Sequence, residues 1–211
     1  IPFMLEILEA RKSYHGTSVL YIPMLNLGEG LYWIRGVNGS GKTTLLKMIA
    51  GLLPFEGEIV LRGINQHVSP ASYRRLVSWA EAEPLYPSFI TGKDLVSFYK
   101  EVRKAQDSQV TRLISLLEIQ SFLHRPLGDY SAGMVKRLSL LLAFIGDMPL
   151  ILLDEPLATL DAEASARLPE LIREYREERG VSFIFSSHQS LGCLCVDRKF
   201  EIGEKTIYPS A

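Results

Sequence analysis

The eight residues GVNGSGKT (36–43) constrain this chain more than any other stretch. They fit the pattern G-x-x-x-x-G-K-[ST] and lie between an apolar run, LYWIRG (31–36), and a helical run, KTTLLKMIAGLLP (42–54). Gly36, Gly39 and Gly41 let the backbone curl so that consecutive N–H groups point inward at phosphate oxygens. Asn38, Ser40 and Thr44 are further candidates for phosphate contact. Lys42 reaches toward β and γ phosphates, and the Thr43 hydroxyl suits a Mg²⁺ position. The plain alternative is a Gly-rich strand-to-helix turn followed by an accidental Lys-Thr. Four fixed residue types inside a strand–loop–helix context favour the nucleotide reading.

The rest of the chain supplies an architecture around that loop. MLEILEARKSY (4–14) alternates like a strand, LYWIRG reads as a more buried strand ending in glycine, and GEIVLRG (57–63) is a short strand between glycines. The 42–54 helix is expected to stop at Gly51 and Pro54. Residues 92–117 have helical spacing, with a polar break near Asp107 and Ser108. LILLD (150–154) and VSFIFSSH (181–188) are near-continuously apolar, as parallel strands buried on both faces are. Between them, residues 161–180 read as a charged helix that Pro169 is expected to kink or restart. Strands alternating with helices imply an α/β domain around a largely parallel sheet, with ligands at the carboxyl ends of its strands.

Chemistry-bearing residues fall at those ends. Asp154 closes LILLD and is placed to hold Mg²⁺ through water or Thr43; Glu155, facing the other way, can polarise an attacking water. The plain reading is an acid pair that follows a strand and caps a helix. The phosphate loop in the same chain favours the catalytic one. His188 ends the last buried strand as a candidate contact for a γ phosphate, or as an ordinary surface histidine. Tyr14, at the end of the first strand, is either packing or a platform for adenine. DYSAGMVK (129–136) opens a helix with small residues at Ser131, Ala132 and Gly133, followed by Lys136 and Arg137. A helix start with nearby cations is an anion-shaped feature.

Composition narrows the class. A chain of 211 residues, 47% apolar with a net charge of −1, suits one globular domain. It lacks the basic excess of a sequence-independent nucleic-acid binder, so no nucleic acid is expected. No apolar run reaches the roughly 20 residues of a membrane span, so membrane work would need another chain. No signal peptide is visible, which sets a cytoplasmic expectation, and Met4 is read as a start, with nothing built on residues 1–3. Cys193 and Cys195 form a C-x-C pair without the partners of a four-ligand metal site, and read as free thiols, buried or partly buried.

With these residues in view, the chain resembles the nucleotide-binding subunit of an ABC transporter over essentially its whole length. The motif order is Tyr14, GVNGSGKT, YSAGM, LILLDEP, ATLD and SSH. The resemblance implies an α/β P-loop ATPase with a mostly parallel core sheet, an antiparallel β subdomain from the first strands and a small helical subdomain. It makes residues 1–211 a single ATPase domain, with 87–147 the helical subdomain. ATP and Mg²⁺ are the implied ligands. Lys42, Glu155 (as base) and His188 (as γ-phosphate switch) are the implied catalytic set. Ser131 and Gly133 would contact ATP held by a second subunit, homo- or heterodimeric, and Asp161 would be the dimer-contact aspartate. A transmembrane permease is the implied partner, met by residues 81–95 or by a loop that instead packs on itself, with the chain peripheral on the cytoplasmic face of the membrane.

Three places depart from the family pattern. Glu81, or Glu83 by a small change of register, stands where a Mg²⁺-sensing glutamine is usual, and cannot donate a hydrogen bond unless protonated. Ala132 and Met134 replace a glycine and a glutamine in the signature, a variant similar to those of export-type ATPases. Pro169 interrupts a helix that is usually continuous. Two other readings stay open: a soluble ABC ATPase acting on DNA or ribosomes, and a nucleotide-gated subunit whose hydrolysis is weak because of Glu81.

Overall fold

A computed structural model describes residues 3–188, 190–192 and 194–210. The described residues form two sheets and six α-helices, some of them in segments with no expected element. The smaller sheet is antiparallel, in the order β2 (Thr17–Leu27), β1 (Leu5–Tyr14), β4 (Glu56–Leu61), β5 (Ile64–Asn65). The larger has six strands in the order β10 (Thr206–Ser210), β9 (Arg198–Gly203), β3 (Leu31–Arg35), β8 (Ser182–Ser186), β7 (Leu150–Asp154), β6 (Val77–Ala80). Neighbours from β9 to β6 run parallel, and β10 adds an antiparallel edge.

The two apolar strands are buried on both faces, as expected, and successive residues serve different cores. Ile151 and Leu153 of β7, with Phe183 and Phe185 of β8, pack against the helices α3 (Gly92–Arg103), α4 (Asp107–Leu116), α5 (Ala132–Phe144) and α6 (Ala162–Arg179). Leu150, Leu152 and Ile184 face the opposite way, onto α1 (Lys42–Ile49) and the antiparallel sheet. Period-two alternation thus splits one continuous apolar run between two cores. The sixth helix, α2 (Pro70–Arg74), leads into β6.

The phosphate-loop helix ends at Ile49, its stop made by Gly51 as expected, which takes φ 73° one residue past the cap, so that Pro54 lies beyond the helix. Other features differ from expectation. The break in residues 92–117 comes earlier than Asp107, where Lys104 adopts a left-handed φ of 53° and Asp107 already opens α4. Helix α6 runs unbroken through Pro169, so no restart occurs; its ends are set by the Asp161 cap, which accepts from Ala164 N–H at 2.9 Å, and by Gly180 in the left-handed region. Cys195 is an exposed free thiol rather than a buried one, and Cys193 lies outside the described residues. Among the described residues no helix is long and apolar enough to cross a membrane.

Phe183 has no exposed surface and its ring lies 5.8 Å from that of Phe144, which joins sheet to helices. Phe183→Ala is expected to lower the unfolding free energy by about 3–5 kcal/mol in chemical denaturation, the range for a truncated core aromatic.

Candidate functional site

The loop after β3 opens at a position where no side chain fits. Gly36 has φ 150°, and a Cβ there would meet Ser40 Oγ at 2.6 Å and Ile202 C=O at 2.8 Å. Gly41 caps α1 at φ 110°. Lys42 is 7% exposed and folds back over the loop, donating to Gly36 C=O at 2.8 Å and Val37 C=O at 3.2 Å. Ser40 Oγ is shielded from water and has no hydrogen-bond partner. A buried hydroxyl left in that state is the kind of group a phosphate oxygen satisfies.

Across the cleft, the carboxyl end of β7 supplies both acids. Asp154 is fully buried; its Oδ2 accepts from the Thr43 hydroxyl at 2.7 Å, and its Oδ1 accepts from Ser186 Oγ. Glu155 is held at φ 42°, a conformation that costs a non-glycine residue roughly 1–3 kcal/mol and recurs at functional sites. Its N–H donates to Ser186, to the carbonyl at 3.0 Å and the hydroxyl at 3.2 Å. Its Oε1 is buried without a hydrogen-bond partner and lies 3.5 Å from His188 Nε2. That same ring nitrogen is 2.8 Å from Asn38 Oδ1, so His188 ties the end of β8 to the loop.

A cleft of about 200 Å³ is lined by Val19, Asn38, Gly39, Gly41, Lys42, Thr43, Thr44, Asp154 and Glu155. Nearly all the expected phosphate, metal and base residues therefore meet. Gly36 and His188 line the adjoining hollow with Asn38. Tyr14 is not among the cleft residues; it is half exposed, with Lys12 Nζ 4.8 Å from its ring centre. The Glu81 carboxylate is engaged by Lys47 of α1, at 2.5 Å, rather than by the Thr43–Asp154 pair.

The residues expected to serve a second subunit assemble elsewhere. Ser131 caps α5, its hydroxyl accepting from Met134 N–H at 3.3 Å while Met134 Sδ accepts from Ser131 N–H at 3.4 Å. A thioether thus occupies the place of the carboxylate in an ordinary capping box. Gly133 admits no side chain, because a Cβ would stand 2.9 Å from Thr159 C=O. Asp161 ion-pairs with Arg137 of α5. The Ala164 N–H, then the Arg137 guanidinium, hold its carboxyl below the usual range.

Two groups escape sequence reasoning. Ser186 orders both acids, and its only sign in the sequence is polarity at the end of an apolar strand. Lys136, expected to sit beside an anion at a helix start, is instead fully buried. It donates to Glu81 C=O at 2.8 Å, Ala82 C=O at 3.3 Å and Asp154 C=O at 2.9 Å. Burial pulls its pKa down to about 8, against the raising pull of Asp154, Glu155 and Glu81.

A glycine-rich loop, its lysine, and a serine/threonine–aspartate bridge at the carboxyl edge of a parallel sheet define a P-loop nucleoside triphosphatase. Residues 25–158 match the ABC transporter family. The chain belongs to that family, as an ATP-binding ATPase domain. It is 29% identical over 187 residues to the lantibiotic transport ATP-binding protein SrtF of Streptococcus pyogenes, covering 88% of this chain and 80% of that protein. It is 31% identical over 201 residues to ATP-binding cassette sub-family A member 7 of Rattus norvegicus, covering 91% of this chain but 9% of that protein. The molybdate/tungstate import ATP-binding protein WtpC of Pyrococcus abyssi is 30% identical over 190 residues, covering 88% of this chain and 55% of that protein.

Among solved structures, the ATP-binding subunit of an ABC transporter superposes with a TM-score of 0.87 at 21% identity, covering 99% of this chain and 90% of that one. A dimeric post-hydrolysis state of an ATP-binding cassette, bound to ADP and Pi, gives 0.84 at 19% identity, covering 97% and 96%. Both likenesses concern the fold, and they agree with the expected mixed α/β architecture.

Ser186→Ala leaves a buried carboxylate oxygen without its donor. The expected cost is about 1–3 kcal/mol of stability by chemical denaturation, the range for an unsatisfied buried polar group. A variant as stable as the parent would mean that Ser186 does not hold Asp154.

Proposed function

We propose that this chain binds and hydrolyses ATP as one half of a head-to-tail dimer and couples that cycle to a membrane-spanning partner. The observation that carries the reading is the 2.7 Å bond between Thr43 and the buried Asp154, with the bare Glu155 oxygen on the same cleft. The loop N–H groups and Ser40 take phosphate oxygens, and Lys42 exchanges the carbonyls of Gly36 and Val37 for β and γ oxygens. Glu155 accepts a proton from water as the water oxygen attacks the γ phosphorus; the bond to the β-phosphate oxygen breaks, leaving ADP and phosphate. His188, tied to Asn38, lies where it can contact the γ phosphate and orient Glu155.

The metal fits the same donors. Thr43 and Asp154 offer two hard oxygens on the cleft. That suits Mg²⁺, which is bound by few protein ligands together with substrate phosphates and water. When bound, Mg²⁺ neutralises charge on the β and γ oxygens.

The whole chain is read as one ATPase domain, with residues 87–147 its helical subdomain; the packing of α3, α4 and α5 on one core supports this. Ser131 and Gly133 serve ATP on the partner subunit, and Asp161 contacts that subunit. The membrane partner meets residues 81–95, where Leu85 and Phe89 are 92% and 82% exposed, which favours a docking loop over a self-packed one. On this reading the chain sits peripherally on the cytoplasmic face of the membrane. Relatives named for import and for lantibiotic transport match at nearly equal identity, so the lean toward export rests on Ala132 and Met134 alone. Lys47 offsets the charge of Glu81, which favours a hydrolysing subunit over one crippled by that residue.

Two variants test this. Glu155→Gln is expected to lower ATP turnover at least a hundredfold and, with ATP, to elute at twice the monomer mass. Ser131→Ala is expected to lower turnover at least tenfold while ATP binding by the isolated chain stays within twofold. Absent hydrolysis in the parent protein, with and without a membrane partner, would sink the enzyme reading; an unchanged Ser131→Ala would sink the shared site.

A further inference from the structure

The buried ammonium of Lys136 joins two strand ends to the helix that Ser131 caps. Its three N–H donors meet three carbonyl acceptors: Glu81 and Ala82, just past the end of β6, and Asp154, the last residue of β7. These strands are parallel neighbours, so their carboxyl ends lie side by side. The β6–β7 pairing ends at Ala80 and Leu153, so the carbonyls of Glu81, Ala82 and Asp154 find no partner across these two strands and need donors from elsewhere. An amide or a water can satisfy carbonyls. A buried cation is a costly way to do so, since taking the charge out of water is repaid only by good geometry and nearby opposite charge. Both are present: three carbonyls meet the three donors, and the carboxylates of Asp154, Glu155 and Glu81 act on the amine electrostatically.

Lys136 also belongs to α5, which Ser131 caps and whose length beyond residue 137 is almost wholly buried. A helix apolar on all sides is fixed by the core around it. The ammonium is therefore attached to a rigid rod rather than to a mobile side-chain surface. The Glu81 peptide is held at two points, its carbonyl by Lys136 and its carboxylate by Lys47 of the phosphate-loop helix.

We propose that Lys136 is a positioning residue for hydrolysis: it locks the ends of β6 and β7, and with them the Asp154–Glu155 pair, to the helix that begins at Ser131. The link to Ser131 rests on the function proposed above. Through Lys136, a displacement of the start of α5 by a partner's nucleotide is delivered directly to the peptide units that carry the acids. Removing the ammonium uncouples the two without removing any group that touches ATP.

The test uses Lys136→Met, which keeps an unbranched apolar stem and removes donors and charge, and Lys136→Gln, which restores two donors on a stem one atom shorter. In Lys136→Met, kcat for ATP is expected to fall at least tenfold with KM within threefold, and amide hydrogen exchange over residues 81–86 to accelerate at least tenfold. Lys136→Gln is expected to recover part of both. It also serves as the measured variant should Lys136→Met not fold by circular dichroism. Unchanged exchange at residues 81–86 in a folded variant, or kcat within twofold of the parent, overturns the proposal. Should the parent not hydrolyse ATP, the functional reading fails by itself, and the exchange rates still decide whether Lys136 holds these strand ends.

Discussion

A carboxylate without access to water must have its charge answered by fixed partners. Asp154 is that group here, and much of the molecule is arranged to answer it. Thr43 comes from the first turn of the phosphate-loop helix, Ser186 from the end of β8, and Lys136 from α5 to the carbonyl of the same residue. One helix of each core and the adjoining strand thus converge on a single residue. An ion in this position contributes little net stability, because desolvation offsets the attraction. What it provides is registration: the loop, the acids and α5 hold fixed relative positions because each is bonded to the same strand end.

The sheet explains why convergence is possible at that edge. Consecutive residues of β7 and β8 alternate between two cores, so neither strand can slide by one residue without exchanging apolar faces. Their carboxyl ends are therefore fixed in height, and Asp154 stands opposite Ser186 in the strand pairing. The strained Glu155 backbone follows immediately, carried by its two bonds to Ser186.

Much of this is legible in the chain itself. The phosphate loop and the two continuously apolar strands announce a buried parallel sheet with its ligand edge, and Asp154, Glu155, Thr43 and His188 fall where that edge places them. The antiparallel part is harder to read, because β2 shows no clean alternation and holds Pro23 in mid-strand, its exposed and buried residues following a twisted, partly solvated face. Pro169 misleads in the other direction, since the surrounding packing of Leu168, Leu171 and Ile172 holds α6 together across a missing donor. Lys136 is invisible for a simple reason. Its acceptors are main-chain atoms 18, 54 and 55 residues away, and main-chain atoms leave no trace in residue identity.

The Arg137–Asp161 pair, next along α5 from the buried lysine, has a different implication. Asp161 already caps α6 and holds Arg137, which also reaches Glu118. Any second subunit that recruits this aspartate must compete with an intramolecular cation for it. Salt, usually the enemy of charged interfaces, weakens that internal rival as well. Association through Asp161 would then respond to ionic strength as the difference between two screened attractions, and so more weakly than the count of charges at the surface suggests.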